Sequence, residues 1–169
     1  PTGSRSLSGV VGNFNGDGNI DIILATHSSS SSAIRLFKGN GDGTFSKPIS
    51  FSKNLSPLIL ITKDMNNNGL QDLVFSSGQG DNMYMLVSRG DGTFESEIVF
   101  SGGGGPTSLT AGDFNSDNMI DVAVANSRSS NFSFIARGPD GLFQHPTRDY
   151  LVDGGTPLAI TSGDFNNDS

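Results

Sequence analysis

Short apolar runs alternate along the chain with clusters of Gly, Asn, Asp and Ser, a pattern that predicts many brief strands and no long helix. The clearest stretch predicts four strands in succession, over Leu58–Lys63, Asp72–Ser76, Met83–Ser88 and Phe94–Phe100, each bounded by turn-forming residues. Between the third and fourth strands stand Asp-Gly pairs, which begin at Asp42, Asp91 and Asp140 in successive stretches. Such a pair supplies the positive φ that a tight hairpin needs. Ser28–Ser32 in the first stretch, and Ser76, Gly78 and Gly80 in the second, predict exposed loops between second and third strands.

The chain is also self-similar. NFNGDGNID at Asn13–Asp21 returns as DMNNNGLQD at Asp64–Asp72, as DFNSDNMID at Asp113–Asp121, and as an incomplete DFNND from Asp164, at offsets of 51, 49 and 51 residues. A second motif, GDGTF at Gly41–Phe45 and Gly90–Phe94 and PDGLF at Pro139–Phe143, keeps offsets of 49 and 49. Two motifs in fixed order on one period of about fifty residues indicate a propeller, solenoid or array. Four antiparallel strands per unit select the propeller blade. The chain is therefore expected to be all-β and one repeat domain over 1–169, with units at about 5–54, 55–104 and 105–154. A partial unit at 155–169 adds one extra strand. Closed propellers need at least about four blades, so three units predict an open arc or completion by oligomerisation. The stop at Ser169, inside a loop motif, suggests excision from a longer parent chain or a fragment that completes itself by assembly.

Composition narrows the chemistry. At 169 residues the chain is long enough to bury roughly two thirds of its unfolded surface, and without Cys it has neither disulfides nor thiolate metal sites. A net charge of -7 repels phosphate backbones and argues against nucleic acid. The longest aliphatic run, Leu58–Ile61, is far short of the roughly 20 residues that span a bilayer, so no membrane insertion is expected. Of the 17 acidic residues all but Glu95 and Glu97 are Asp, the choice of turns and metal loops.

Each nonapeptide offers side-chain oxygens at positions 1, 3, 5 and 9 and a backbone carbonyl at position 7, a hard-oxygen set suited to Ca²⁺. In the first loop the donors are Asn13, Asn15, Asp17, Asp21 and the Asn19 carbonyl; in the second, Asp64, Asn66, Asn68, Asp72 and the Leu70 carbonyl. In the third they are Asp113, Asn115, Asp117, Asp121 and the Met119 carbonyl. Position 6 holds Gly18, Gly69 or Asn118, residues that tolerate a left-handed turn. The spacing matches the first half of an EF-hand loop, but position 12 is Leu24, Phe75 or Val124 where that loop needs a bidentate Glu. With two, two and three carboxylates, the third loop should bind most tightly. By analogy with extracellular modules the dissociation constants fall at about 10⁻⁴ to 10⁻³ M. At about 1 mM calcium that stabilises by roughly 0.4 to 1.4 kcal/mol per site. The fourth loop, with Asp164, Asn166 and Asp168, lacks position 9 and is expected to be empty or weak. The alternative for every loop is a plain Asx turn between strands.

An Asp/Asn nonapeptide in a strand turn, followed by GDGTF on a fifty-residue period, resembles the FG-GAP (VCBS) repeats of integrin α-chain-like propellers. The resemblance implies a calcium-bearing β-propeller of six to eight blades, extracellular or at the cell surface, with ions in the hairpin after the first strand. Asn13 and Asn68 depart from the family's acids at their positions.

Arg89, Gly90 and Asp91 spell RGD, but the equivalent slots hold Asn40, Gly41, Asp42 and Gly138, Pro139, Asp140, so the tripeptide is expected to be a turn. His27 and His145 lie apart without acid partners at recurrent spacing, and are expected to be surface or turn residues. Sequons at Asn54, Asn131 and Asn167 matter only if the chain is secreted. Phe14, Phe45, Phe94, Phe114, Phe143 and Phe165 recur in register and predict packing anchors between blades. The leading function is a noncatalytic, calcium-stabilised module for extracellular recognition or adhesion, with a protein or glycan ligand. One alternative is a structural fragment that assembles a ring from several chains, as a homo-oligomer. Another is the accessory or catalytic propeller of a calcium-dependent lyase or hydrolase, disfavoured because a catalytic centre ordinarily breaks the repeat.

Overall fold

A computed structural model describes residues 5–27, 32–51, 55–78, 80–144 and 148–165. Twelve strands form three four-stranded antiparallel sheets, each with its strands in chain order, and no helix occurs among the described residues. The first blade holds β1 (Arg5–Gly12), β2 (Asp21–His27), β3 (Ser32–Phe37) and β4 (Ile49–Phe51). The second holds β5 (Pro57–Lys63), β6 (Asp72–Ser77), β7 (Asn82–Leu86) and β8 (Ile98–Ser101). The third holds β9 (Pro106–Gly112), β10 (Asp121–Asn126), β11 (Asn131–Ile135) and β12 (Arg148–Leu151). The all-β blade architecture expected from the repeat is therefore present, with β1 running beside β5 and β5 beside β9.

Blades stack face to face, which is why the second strands read as nearly continuous apolar runs: β6 and β10 are buried at every residue. One core cluster joins the first two blades through Ile23, Ile34, Leu36, Leu73, Phe75 and Leu86. A second joins the second and third through Val74, Met83, Met85, Val122, Val124 and Ile135. Strand alternation divides β6 between them, with Phe75 facing back and Val74 facing forward.

The third and fourth strands are shorter than the sequence predicts. In the second blade β7 stops at Leu86 and β8 begins at Ile98, because the GDGTF segment folds on itself. Arg89 N donates to Thr93 O, Glu95 N donates to Val87 O, and a single bridge joins Ser88 to Phe94. Gly43, Gly92 and Gly141 all take positive φ in these turns, as the Asp-Gly pairs require. Ser76 is a fully buried strand residue, not part of a loop, whereas Gly78 and Gly80 are exposed as expected. Ser32 opens β3, and 28–31 lie outside the described residues.

Residues 157–162 of the partial unit run beside β9, in the place of an inner strand and without sheet pairing. Thr107 Oγ1 donates to Pro157 O, and the Thr110 and Ser162 hydroxyls meet at 2.7 Å. The six recurrent Phe residues differ in burial according to which neighbouring blade is present. Phe14 is buried between the first two blades, Phe94 stacks on Phe51 of the first, and Phe143 stacks on Phe100 of the second. Phe45 (44% exposed), Phe114 (42%) and Phe165 (84%) lie on the outer faces of the described units and are more exposed.

Candidate metal centre

Each nonapeptide connects an inner strand to the second strand of its blade, closed by pairing Asp21 with Gly12, Asp72 with Lys63 and Asp121 with Gly112. Position 9 is the fixed point. Asp21, Asp72 and Asp121 are fully buried, and each carboxylate accepts two backbone N–H bonds. One comes from position 2 of the same loop: Phe14, Met65 or Phe114, at 2.9, 3.0 and 3.1 Å. The other comes from the residue that opens the Asp-Gly hairpin: Gly39, Ser88 or Arg137, at 2.9, 2.8 and 2.9 Å. One side chain thus ties the two recurrent motifs together, which is the physical reason they share one period.

The side chains at positions 1, 3 and 5 turn their oxygens into the loop. In the first loop, Asn13 Oδ1 accepts from Gly16 N, Asn15 Oδ1 from Asp17 N and Asp17 Oδ1 from Asn19 N. In the second, Asp64 accepts from Asn68 N and Gly69 N, Asn66 Oδ1 from Asn68 N, and Asn68 Oδ1 from Leu70 N. In the third, Asp113 accepts from Asp117 N and Asn118 N, Asn115 Oδ1 from Asp117 N, and Asp117 Oδ1 from Met119 N. Position 6 is left-handed in all three, at Gly18, Gly69 and Asn118, as the sequence predicts. Position 4 is left-handed as well, at Gly16, Asn67 and Ser116, a requirement the sequence reading missed because only the first of these is Gly.

The carboxylates of one loop feel each other. Burial pushes the Asp121 carboxyl up from its ordinary value, and the charges of Asp117 and Asp113 push in the same direction. Asp72 is likewise raised, first by burial and also by Asp64. A cation in the loop would oppose both effects. Asp17, exposed and bonded by the Asn19 N–H and the Asn15 amide, is instead held below the usual range. Among the described residues no three His, Cys, Asp or Glu side chains converge as a metal cluster, and the first and second loops carry only two carboxylates each beside their amide oxygens. The mixed donor set of carboxylate, amide and carbonyl oxygen fits a hard cation, each oxygen retaining lone pairs beyond its N–H bond.

The loops also touch the next blade. Gly92 N donates to Phe14 O at 2.8 Å, Lys38 Nζ to Asp91 O at 3.1 Å, and Asn67 Nδ2 to Asn118 O at 3.2 Å. The third hairpin begins with Pro139 in place of Gly90, and there the Arg137 guanidinium bonds Met65 O and Gly141 O. The RGD tripeptide lies in one of these hairpins: Asp91 Oδ1 accepts from both Thr93 N and Thr93 Oγ1, as Asp42 does from Thr44. The threonine hydroxyls hold both carboxyls below their ordinary value, so their contribution to folding is present above the usual Asp range and lost as pH falls below it.

Other sequence candidates fare differently. The Asn131 sequon is buried, with Asn131 and Ser133 both bonded to Asn126 Nδ2, so it is closed to glycosylation in the folded chain. Asn54, Asn167, His145, Asn166 and Asp168 lie outside the described residues, and His27 ends β2. A family model described as FG-GAP-like repeat matches residues 13–75, 64–124 and 113–169, each match starting at the first residue of a loop. No curated protein matches the chain.

Proposed function

We propose that this chain, which belongs to the FG-GAP-like repeat family, is a noncatalytic calcium-binding propeller module for recognition outside the cell. The observation that carries the reading is a loop built three times over: a fully buried Asp at position 9, closing a turn of hard-oxygen side chains at positions 1, 3 and 5. Three such loops bonded to neighbouring blades make one rim, which cations would rigidify. Asn13, Asn15, Asp17, Asn19 and Asp21 would hold the first ion; Asp64, Asn66, Asn68, Leu70 and Asp72 the second; Asp113, Asn115, Asp117, Met119 and Asp121 the third. A rigid rim with exposed loops suits a protein or glycan ligand, and the absence of Trp disfavours the glycan. Among the described residues no helix is long and apolar enough to cross a membrane.

Thermal melting in EDTA and then in millimolar calcium tests the reading. A gain of about 1 kcal/mol per site raises the midpoint of a domain this size by about 2–4 °C for each site filled. The gain should shrink most in Asp117→Asn, which removes a carboxylate from the loop that has three. Melting curves that coincide in EDTA and in calcium would sink the proposal.

A further inference from the structure

We propose that the Arg137 guanidinium is a built-in counter-cation of the second loop, which holds that loop in shape without an ion and makes it the weakest of the three calcium sites. The proposal rests on the calcium reading above and adds the residue that sets the order of the sites.

Arg137 opens the third Asp-Gly hairpin, where the first and second repeats have Gly39 and Ser88, and all three backbone N–H groups donate to the position 9 carboxylate of their own loop. Arg137 alone has a side chain that reaches further. It is 7% exposed, its Nη1 donates to Met65 O at position 2 of the loop in the preceding blade, and its Nε donates to Gly141 O at 3.1 Å. At the junction of the first two blades the equivalent carbonyl, Phe14 O, receives a neutral donor, Gly92 N, at 2.8 Å. At the second junction the equivalent Gly141 N turns to Gly138 O at 2.9 Å, and the guanidinium takes its place on the carbonyl. A permanent positive charge thus stands where the other junction has a peptide N–H, since arginine does not deprotonate in proteins.

That charge is buried with no carboxylate in ion-pair contact among the described residues. A buried cation needs compensation. The second loop supplies it, because Met65 N donates to Asp72 Oδ2 at 3.0 Å while Met65 O accepts from Arg137, so one residue links the guanidinium to the position 9 carboxylate. Burial raises the Asp72 carboxyl, and the Arg137 charge acts in the opposite direction. Asp64 is the loop's only other acid, since Asn66 and Asn68 are neutral. Two carboxylates therefore already face a resident positive charge, and a divalent ion entering the loop meets it at an effective dielectric of about 20 rather than that of water. The first loop also has two carboxylates and a basic neighbour, Lys38 near Asp17. That ammonium bonds Asp91 O at an exposed site, where water and salt screen it. Equal numbers of carboxylates thus do not make the first and second sites equal.

The test is a calcium titration of the intact chain and of Arg137→Gln and Arg137→Lys, followed at the backbone amides of Gly18 and Gly69. Arg137→Gln keeps a donor for Met65 O and removes the charge. In the unaltered chain Gly69 should reach half-saturation at higher calcium than Gly18. In Arg137→Gln the Gly69 midpoint should fall by about tenfold while Gly18 stays where it was. In Arg137→Lys, which keeps the charge, the Gly69 midpoint should stay within about twofold of the unaltered chain. Thermal melting of the same proteins gives a second readout: Arg137→Gln should melt lower in EDTA, and the gap should narrow as calcium is added. A Gly69 midpoint that holds or rises in Arg137→Gln while Gly18 still responds would overturn the proposal and leave the calcium reading standing. Amides silent in both loops would overturn the calcium reading, and the proposal with it.

Discussion

Replacing Asp72 with alanine is expected to destabilise the protein by about 3–4 kcal/mol even in EDTA, because two buried N–H donors lose their acceptor at about 1–3 kcal/mol each. Those donors are Met65 N and Ser88 N, on residues themselves buried. The loss stays below the maximum sum because removing the carboxylate also removes its own desolvation, the cause of its raised pKa. Asp72→Asn keeps one acceptor and turns an amide N–H toward the other donor, so it should fall between wild type and alanine. Asn66→Ala, at an exposed position, should cost under about 1 kcal/mol in EDTA and show its effect only when calcium is added. Urea denaturation measures all three. A loss under about 1 kcal/mol in Asp72→Ala would mean that position 9 is not the strut described here.

The second large effect lies at position 2. Phe14→Ala should cost about 3–5 kcal/mol, the usual range for emptying a fully buried aromatic site. Phe14 is 1% exposed and lies 6.4 Å from the Phe94 ring of the next blade. Phe114→Ala, the same motif position in the third blade, should cost under about 1 kcal/mol because its ring is 42% exposed. Equal losses in the two variants, read from urea midpoints at constant slope, would contradict the assignment of junctions.

These contrasts mark what was legible in the sequence. Four strands per blade, blade order and loop position followed from two motifs on one period, since period is a property of the chain. The equivalence of the six Phe residues did not survive, because burial depends on which blades are neighbours, and Phe14 and Phe114 look identical in sequence. The strand ends near Ser88 and Phe94 were misplaced for a local reason: apolar residues flank the Asp-Gly turn, but Asp91 and Thr93 hold that turn as a separate small hairpin. Asp21, Asp72 and Asp121 were read as metal donors, and the links they make to Gly39, Ser88 and Arg137 were missed. The partners lie 16 to 18 residues downstream, with no fixed residue type, so nothing in the sequence marks them except the shared period.

The three loops are proposed as cation sites of graded strength. A calcium titration followed by backbone amide NMR, with one reporter in each loop at Gly18, Gly69 and Asn118, tests that directly. Three saturable sets of shifts are predicted, with the set around Asn118 saturating first and all three reversed by EDTA. Amides in the loops that stay unmoved up to ~10 mM calcium, well above the affinity range of extracellular modules, would contradict it.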